Sequence, residues 1–385
     1  MVEKAIFMIN NPTEGRVMSC DFLELAVPGV RGMSPYQPGK PIEELAREQG
    51  LKVEDIVKLA SNENPLGPPP SAVKAMAESL AELARYPDGS SFLLKQTLAE
   101  KLKVSPEQLT MGNGSNDVLV LLAESFLDAG SSAVYSQYAF VVYPLAVKAV
   151  GAEGIAVPAL NYGHDLDAMV EAIKENTRIV FLANPNNPTG TSFSEQALLG
   201  FLDRVPEDVI VVLDEAYYEY GVGGDLPDGI ELLDRYPNLV VTRTFSKAYG
   251  LAGARVGYSI SNPEVADVLN RLRQPFNLNL PAQFGAVAAL QDDAYMQKSI
   301  EVNQQGMAFL EQGFSDLGLS WIPSSGNFIT VDLRCNAMPV YEGLLSKGVI
   351  VRPVANYGMP EHLRISIGLP EENRRCLEAL GQVLA

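Results

Sequence analysis

The chain has 385 residues, of which 47% are hydrophobic and 20% charged, which is ample core material for a large domain together with a smaller one. Its formal net charge of −18 argues against nucleic acid and anionic membrane surfaces as partners. Three widely spaced cysteines do not fit a disulfide framework, so we predict a reducing, cytoplasmic location. Only two histidines make a histidine-based metal centre improbable, so we predict no metal.

The N-terminal part of the chain is predicted to be an extension and arm over residues 1–36, followed by part of a small domain over residues 37–61. No apolar run reaches the roughly 18 residues of a membrane span. The AIFMI patch near the start is too short for the apolar region of a signal peptide. We expect an extended segment at residues 34–41, a helix at 42–49 and a strand at 56–60.

Residues 62–275 are predicted to form a large domain. Prolines at residues 65 and 68–70 indicate a rigid segment, Ser71 is placed to cap a helix that runs to residue 83, and a further helix is expected over 91–102. From about residue 110 to 260, apolar strands alternate with helices, including strands at 133–135, 179–182, 209–213 and 239–241. This pattern predicts an α/β fold with a mostly parallel central sheet covered by helices, which binds ligands at the carboxyl ends of its strands.

Beyond residue 275 the pattern changes to that of a smaller α+β domain, residues 276–385. Helices are expected over 282–317, strands at 328–333, 349–352 and 363–367, and a helix at the C-terminus.

The segment TMGNGSND at residues 110–117 follows a short strand and precedes an apolar helix predicted over 118–127. Glycines at such a turn allow backbone amides to bind an anion, with a helix N-terminus behind them. A dinucleotide site is a second interpretation, although the third glycine of its fingerprint is missing. An ordinary turn is the third.

Lys247 follows a buried strand and a turn rich in hydroxyl groups. Removal from water favours the neutral amine of a lysine, which can form a Schiff base with an aldehyde. Thr244, Ser246 and Arg255 offer donors for a phosphate. An aldehyde that carries a phosphate suggests pyridoxal phosphate (PLP); the alternative is a surface lysine after a turn.

Polar side chains also follow two other strands. Asp214 ends an apolar strand, where a buried carboxylate is costly unless a cation pairs with it. Asn187 lies in ANPNNPTG and could donate its amide hydrogen to a ring oxygen. Of the aromatic residues that follow a third strand, we assign Tyr143 to the core, whereas Tyr138 or Phe140 could stack on a flat ring.

These motifs occur in an order that resembles the fold-type I PLP-dependent aminotransferases: NPTG, the Asp214 and Tyr217 pair, Ser246-Lys247 with Arg255, and Arg364. The resemblance covers essentially everything after residue 30 and implies a seven-stranded type of central sheet. The segments SPYQPGKP, LASNENPLGP, RYPDG, GNGSND, SQYAFVVYP and VIVRPVANYGMPEHLRISIG are most similar to the histidinol-phosphate aminotransferase branch.

The resemblance implies a role for each matching cofactor residue. Lys247 would bind PLP covalently and act as the base, Asp214 would pair with the pyridine nitrogen, and Tyr217 and Asn187 would bond the ring hydroxyl oxygen. Phe140, rather than Tyr138, would lie against the ring. The phosphate would be held by Ser115, Asn116, Thr244, Ser246 and Arg255, and by Tyr86 of a neighbouring subunit, so a homodimer with shared sites is implied. The alternative for Tyr86 is a residue that only packs within its turn.

The resemblance also implies the substrates, a small-molecule amino donor and a keto acid. Arg364 would bind the carboxylate of glutamate, unless it is an ordinary ion-pair partner. Arg352 is our candidate for the phosphate of histidinol phosphate, and Tyr36 is expected to close over it. The alternatives are an aromatic amino acid aminotransferase and a PLP lyase similar to the threonine-phosphate decarboxylases. A PLP-sensing regulator is disfavoured because no basic DNA-binding module precedes the arm.

Overall fold

The computed structural model describes residues 21–33, 39–221 and 224–385. Its strands are β1 Val57–Lys58, β2 Leu109–Gly112, β3 Ser132–Ser136, β4 Glu153–Val157, β5 Thr177–Ala183, β6 Ile210–Asp214, β7 Leu239–Thr244, β8 Gly257–Ser261, β9 Ser320–Ile322, β10 Phe328–Asp332, β11 Val349–Ile350, β12 Arg352–Pro353 and β13 His362–Ser366. Its helices are α1 Phe22–Leu25, α2 Pro28–Arg31, α3 Ile42–Gln49, α4 Pro70–Ser79, α5 Phe92–Leu102, α6 Ser115–Phe126, α7 Val142–Ala149, α8 Leu166–Glu171, α9 Glu195–Leu202, α10 Tyr218–Gly221, α11 Pro263–Leu272, α12 Leu280–Leu290, α13 Asp293–Asp316, α14 Ala337–Ser346 and α15 Pro370–Leu384.

A seven-stranded sheet in the order β2-β8-β7-β6-β5-β3-β4 forms the centre of the molecule. Only β8 is antiparallel to the other strands of this sheet, so the predicted mostly parallel sheet is confirmed. The sequence analysis did not identify β4 and β8 as strands. The edge strand β4 is largely exposed and lacks a continuous apolar run, and the polar serines of β8 interrupt its pattern.

The strands in the middle of this sheet are buried on both faces. In β5, Val180 and Leu182 pack into the core on one side, whereas Ile179 and Phe181 pack into the core on the other. The strands β6 and β7 alternate in the same way. Because both faces are apolar and covered by helices, the polar side chains at the carboxyl ends of these strands are held on a rigid frame.

A second, smaller core surrounds the antiparallel sheet β12-β13-β10-β9. The short strand β1 pairs with β11, and Val57 and Leu59 pack into this second core. The helix α12 begins beyond residue 275, yet its buried residues share a core with the large sheet. The domain limits therefore stay a prediction.

Several local predictions differ from the structure. The helix α4 begins at Pro70 with no side-chain cap, so Ser71 is not a cap; its hydroxyl donates to Asp292 at 2.7 Å. Proline suits the first position of a helix because its missing N–H is not needed there. The predicted strand at 349–352 is divided between β11 and β12, which belong to different sheets. The helix α6 begins at Ser115, three residues before its predicted start at 118.

Within residues 21–33, 39–221 and 224–385, no helix is both long and apolar enough to cross a membrane. The same ranges bring together no group of three or more His, Cys, Asp or Glu side chains that could hold a metal ion.

Candidate active site

One cavity lies at the carboxyl ends of the large sheet and extends to the smaller sheet. It is lined by most of the side chains that the sequence singled out: Ser115, Asn116, Phe140, Asn187, Asp214, Tyr217, Thr244, Ser246, Lys247, Arg255, Arg352 and Arg364. Two predicted residues are not among them. Tyr86 is 82% exposed and stacks on Phe276, and Tyr36 lies outside the described residues.

Asp214 lies at the bottom of this cavity, at the end of β6. Its Oδ2 accepts a hydrogen bond from the Tyr143 hydroxyl at 2.7 Å, and its Oδ1 accepts one from Thr242 at 3.0 Å. Burial raises the pKa of Asp214, and these two hydroxyls and the backbone N–H of Ala216, all neutral donors, oppose the rise. The site therefore holds a carboxylate in place and would gain from a cation facing it.

Tyr143 was predicted to be a core residue only, and this is incomplete. Its ring is buried and stacks on Phe181 with centroids 4.8 Å apart, but its hydroxyl orients Asp214. A buried tyrosine hydroxyl nearly always needs a partner, and that general rule was the available signal. The partner lies 71 residues away in the sequence, so no local pattern could identify it.

Lys247 projects into the cavity from the turn after β7. Its Nζ donates to the carbonyl oxygen of Ser61 at 3.0 Å and lies 5.7 Å from the centroid of the Tyr217 ring. Removal from water, and next the cationic Arg364, lower the pKa of Lys247 to about 7. A substantial fraction of the amine is therefore neutral near neutral pH and able to act as a nucleophile or base.

Asn187, Tyr217 and Arg364 form a hydrogen-bonded chain along one wall. Arg364 Nη1 donates to Asn187 Oδ1 at 2.5 Å, and Asn187 Nδ2 donates to the Tyr217 hydroxyl oxygen at 3.2 Å. Since a guanidinium can only donate, Arg364 fixes which way the Asn187 amide faces. Arg364 lies opposite Arg352 on the paired strands β13 and β12, so both cations belong to the same part of the cavity.

The opposite end of the cavity has the geometry of an anion-binding turn. Ser115 and Asn116 form the first turn of α6, where backbone N–H groups have no partners within the helix. Arg255 lies beside them and donates to Ser246 Oγ at 3.3 Å. A Cβ on Gly114 would come within 2.3 Å of Arg255 Nη2, and Gly114 has φ +87°, so only glycine allows this close approach.

The polar groups that line the cavity fit PLP. The cofactor has a basic ring nitrogen at one end, a phosphate at the other, and an aldehyde and a hydroxyl between them. The cavity offers Asp214 for the nitrogen, the α6 turn with Arg255 for the phosphate, and Lys247 and Tyr217 between these ends.

The sequence analysis missed one part of the wall, residues 60–62. The carbonyl oxygen of Ala60 accepts from Arg364 Nη2 at 2.7 Å, that of Ser61 accepts from Lys247, and the side chain of Asn62 donates to Tyr217 at 2.9 Å. Three consecutive residues thus contact three of the predicted site residues. From the sequence, residue 60 was placed in the strand at 56–60 and residues 61–62 were given no contact with the site, because their partners are distant in the sequence.

The lowered pKa of Lys247 predicts how the cofactor-free protein binds PLP. The rate of covalent attachment should rise with pH around a midpoint of about 7, because only the neutral amine attacks the aldehyde. An unperturbed lysine would give a midpoint near 10. The Arg364→Met variant should have a higher midpoint, since a cation that disfavours the ammonium form is removed. Stopped-flow absorbance checks this, and a midpoint that is the same in both proteins would contradict it.

Comparison with known proteins identifies the family. The model of the family "Aminotransferase class I and II" matches residues 54–380. Histidinol-phosphate aminotransferase 2 of Pseudomonas fluorescens is 62% identical over 368 residues, which is 96% of this chain and 100% of that protein. Histidinol-phosphate aminotransferase 2 of Pseudomonas aeruginosa is 62% identical over 365 residues, 95% of this chain and 99% of that protein.

Solved structures agree in fold. Histidinol-phosphate aminotransferase from Sinorhizobium meliloti, in complex with pyridoxal-5′-phosphate, superposes with a TM-score of 0.85 at 31% identity, over 93% of this chain and 97% of that one. A double mutant of Thermus thermophilus aspartate aminotransferase gives a TM-score of 0.79 at 25% identity, over 92% and 98% of the two chains. The predicted fold type is therefore confirmed, and the chain belongs to the class I and II aminotransferases, in the branch of the histidinol-phosphate aminotransferases.

Proposed function

We propose that this chain catalyses the PLP-dependent transamination of histidinol phosphate with 2-oxoglutarate, which yields imidazole-acetol phosphate and glutamate in histidine biosynthesis. One observation carries the proposal: a single cavity combines a lysine of lowered pKa, a buried carboxylate and two arginines on paired strands. The relatives at 62% identity bear the name of this reaction.

The cofactor would be held by the residues that surround it from end to end. Asp214, oriented by Tyr143 and Thr242, would pair with the ring nitrogen, and Phe140 would pack on the ring. Tyr217 and Asn187 would bond the ring hydroxyl oxygen, and the phosphate would be held by Ser115, Asn116, Thr244, Ser246 and Arg255. When bound, PLP supplies a ring that withdraws electrons from the substrate carbon that loses its proton.

Lys247 has two tasks in this scheme. Its amine would hold the cofactor covalently at rest, and the same amine would take up and return the proton of the substrate carbon. Both tasks need a neutral amine near neutral pH, and the low pKa of Lys247 supplies it. Ser61 accepts a hydrogen bond from the Lys247 amine, and the adjacent Ala60 accepts one from Arg364, so this segment orients both side chains.

The two arginines suit the two different anions that the reaction requires. Glutamate carries a carboxylate beside the reacting carbon, and we assign it to Arg364, whose guanidinium is fixed by Asn187 and Ala60. Histidinol phosphate has no such carboxylate, and its phosphate lies farther from the amine. We assign that phosphate to Arg352, which lines the cavity from the neighbouring strand.

The Arg352→Ala variant tests the substrate assignment. We expect kcat/KM for histidinol phosphate to fall by roughly 10- to 100-fold, because one charge-assisted hydrogen bond to the phosphate is lost. For phenylalanine, which has no phosphate, kcat/KM should change by less than about threefold. The matched Arg352→Lys variant should recover part of the loss because it keeps the charge. An equal loss for both substrates would remove Arg352 from the phosphate role and favour an aromatic amino acid aminotransferase.

We also propose that the enzyme is a homodimer in which Tyr86 reaches the neighbouring subunit's cofactor phosphate. The support is a set of exposed apolar side chains close together in sequence: Leu80, Leu83, Tyr86, Phe92 and Leu93, each more than half exposed. Such a surface on one chain is typical of a subunit interface. A solution mass near that of one chain, 41.6 kDa, in sedimentation equilibrium would contradict this.

We place the enzyme in the cytoplasm. Of the cysteines that the structure describes, Cys335 is exposed and Cys376 is buried, and both are free thiols. Cysteines that remain free thiols are typical of a reducing compartment. Recovery of the activity in a periplasmic or secreted fraction instead of the cytoplasmic one would contradict the placement.

A further inference from the structure

Asn62 is a buried residue to which the proposed reaction assigns no role. Its side chain is 1% exposed and its backbone has φ +53°, a left-handed conformation that asparagine tolerates better than most residues. Its backbone N–H donates to Ser366 Oγ at 2.8 Å, and its carbonyl oxygen accepts from Asn327 at 3.0 Å. The residue is therefore held on both sides by the smaller domain.

The Asn62 amide can face Tyr217 in only one way. Ser366 Oγ accepts the backbone N–H of Asn62 and donates its own hydrogen to Asn62 Oδ1 at 3.0 Å. With Oδ1 engaged, the Nδ2 group is directed at the Tyr217 hydroxyl oxygen, 2.9 Å away. Asn62 thus presents a donor to the phenol, not an acceptor.

A second donor reaches the same oxygen. Asn187 Nδ2 lies 3.2 Å from it, and Arg364 fixes that amide by donating to its oxygen. A phenol oxygen has two acceptor positions, and both are now occupied. The phenol hydrogen must point away from both amides, and Tyr217 lines the cavity where the PLP hydroxyl would lie.

We propose that Asn62 is a positioning residue that, by donating to Tyr217, turns the phenol hydrogen into the cavity as a donor to the cofactor. This inference rests on the proposed role of Tyr217 and adds a residue behind it. A donor to the ring hydroxyl oxygen stabilises that oxygen in its ionised form, which disfavours protonation of the linkage between Lys247 and the cofactor. Asn62 would therefore lower, through Tyr217, the pH at which this linkage takes up a proton.

Other charged and titratable groups also act on this part of the site. Those that act on Tyr217 include Arg364, Asp214 and Tyr357, and those that act on Lys247 are Arg364, Glu63, Arg255 and Lys58. A test must therefore change the Asn62 amide and leave these groups in place.

The Asn62→Asp variant does so while keeping the shape of the side chain. The introduced carboxylate can only accept, so the Tyr217 hydrogen should turn toward it and away from the cofactor. We expect the protonation midpoint of the bound cofactor, read from its visible absorbance, to rise by about one pH unit, the effect of one lost hydrogen bond. In a Tyr217→Phe background the same change should raise the midpoint clearly less than in the wild type, because only the direct effect of the new charge remains and the group through which Asn62 acts is gone.

Two further variants serve as controls. Asn62→Gly keeps the left-handed backbone without strain and removes the amide; it should raise the midpoint less than Asn62→Asp, since the phenol hydrogen stays free to face the cavity. Asn373→Asp makes the same chemical change at another fully buried asparagine, whose side chain bonds the backbone of Gly368, and should leave the midpoint unchanged.

The outcomes separate the inference from the function on which it rests. If Tyr217→Phe does not move the midpoint, the role of Tyr217 in the proposed function is wrong. If Tyr217→Phe raises the midpoint but a folded, PLP-loaded Asn62→Asp protein titrates like the wild type, only the positioning role is overturned. An equal shift in the Tyr217→Phe background would also overturn it. Should Asn62→Asp fail to fold, an Asn62→Gly midpoint equal to that of the wild type decides against the inference.

Discussion

The Lys247→Ala variant is expected to lose turnover by roughly 10⁴-fold or more, because we assign to this one amine both the covalent binding of the cofactor and the transfer of the substrate proton. Borohydride treatment of the wild type should fix the cofactor to the peptide that contains Lys247, and mass spectrometry should find no such adduct in the variant. The fold should persist, since the deleted amine is a buried group whose charged form is disfavoured.

A matched control comes from the surface. Lys174 forms an exposed ion pair with Glu153, so Lys174→Ala should retain both activity and the cofactor adduct. Turnover near the wild-type rate in Lys247→Ala, or an adduct on another lysine, would contradict the role assigned to Lys247.

The Asp214→Asn variant is expected to bind PLP and fold but to react several orders of magnitude more slowly. The amide keeps the size of the carboxylate and a partner for Tyr143, yet it cannot stabilise a positive charge on the ring nitrogen. An increase of about 4 kcal/mol or more in the activation barrier lowers the rate by roughly a thousandfold or more. Single-turnover absorbance measurements on the loaded variant give this rate directly.

Glu215 supplies the matched control for Asp214. It is the next residue and also a buried carboxylate, but it pairs with Arg243 at 2.7 Å and does not line the cavity. Glu215→Gln should lower the free energy of unfolding by about 3–5 kcal/mol, because Arg243 loses a buried partner. Its single-turnover rate should fall far less than that of Asp214→Asn. A reversed order of the two rates would show that the Asp214 effect is structural.

The sequence predicted the functional side chains that follow strands. Asp214, Lys247 and Asn187 stand where apolar runs end, and the carboxyl ends of parallel strands meet at one edge of a sheet. Their meeting in one cavity follows from the fold class alone. The resemblance to aminotransferases was needed to assign Tyr217, Arg352 and Arg364, whose own surroundings in the sequence are ordinary.

The residues that sequence reasoning missed act through partners far along the chain. Asn62 reaches Tyr217 across 155 positions and Ser366 across 304, and Tyr143 reaches Asp214 across 71. Local periodicity carries no information about such pairs. The two short strands at 349–353 were merged for a related reason, because only their pairing with β1 and β13 separates them.

The most direct test of the account is the first half-reaction of the PLP-loaded protein, with histidinol phosphate in one titration and phenylalanine in another. The visible absorbance of the cofactor reports amino-group transfer without a second substrate. We predict that histidinol phosphate converts the cofactor at far lower concentration than phenylalanine does, and that added 2-oxoglutarate restores the original spectrum. Conversion at lower concentration by phenylalanine would contradict the proposed function and leave Arg352 without its assigned partner.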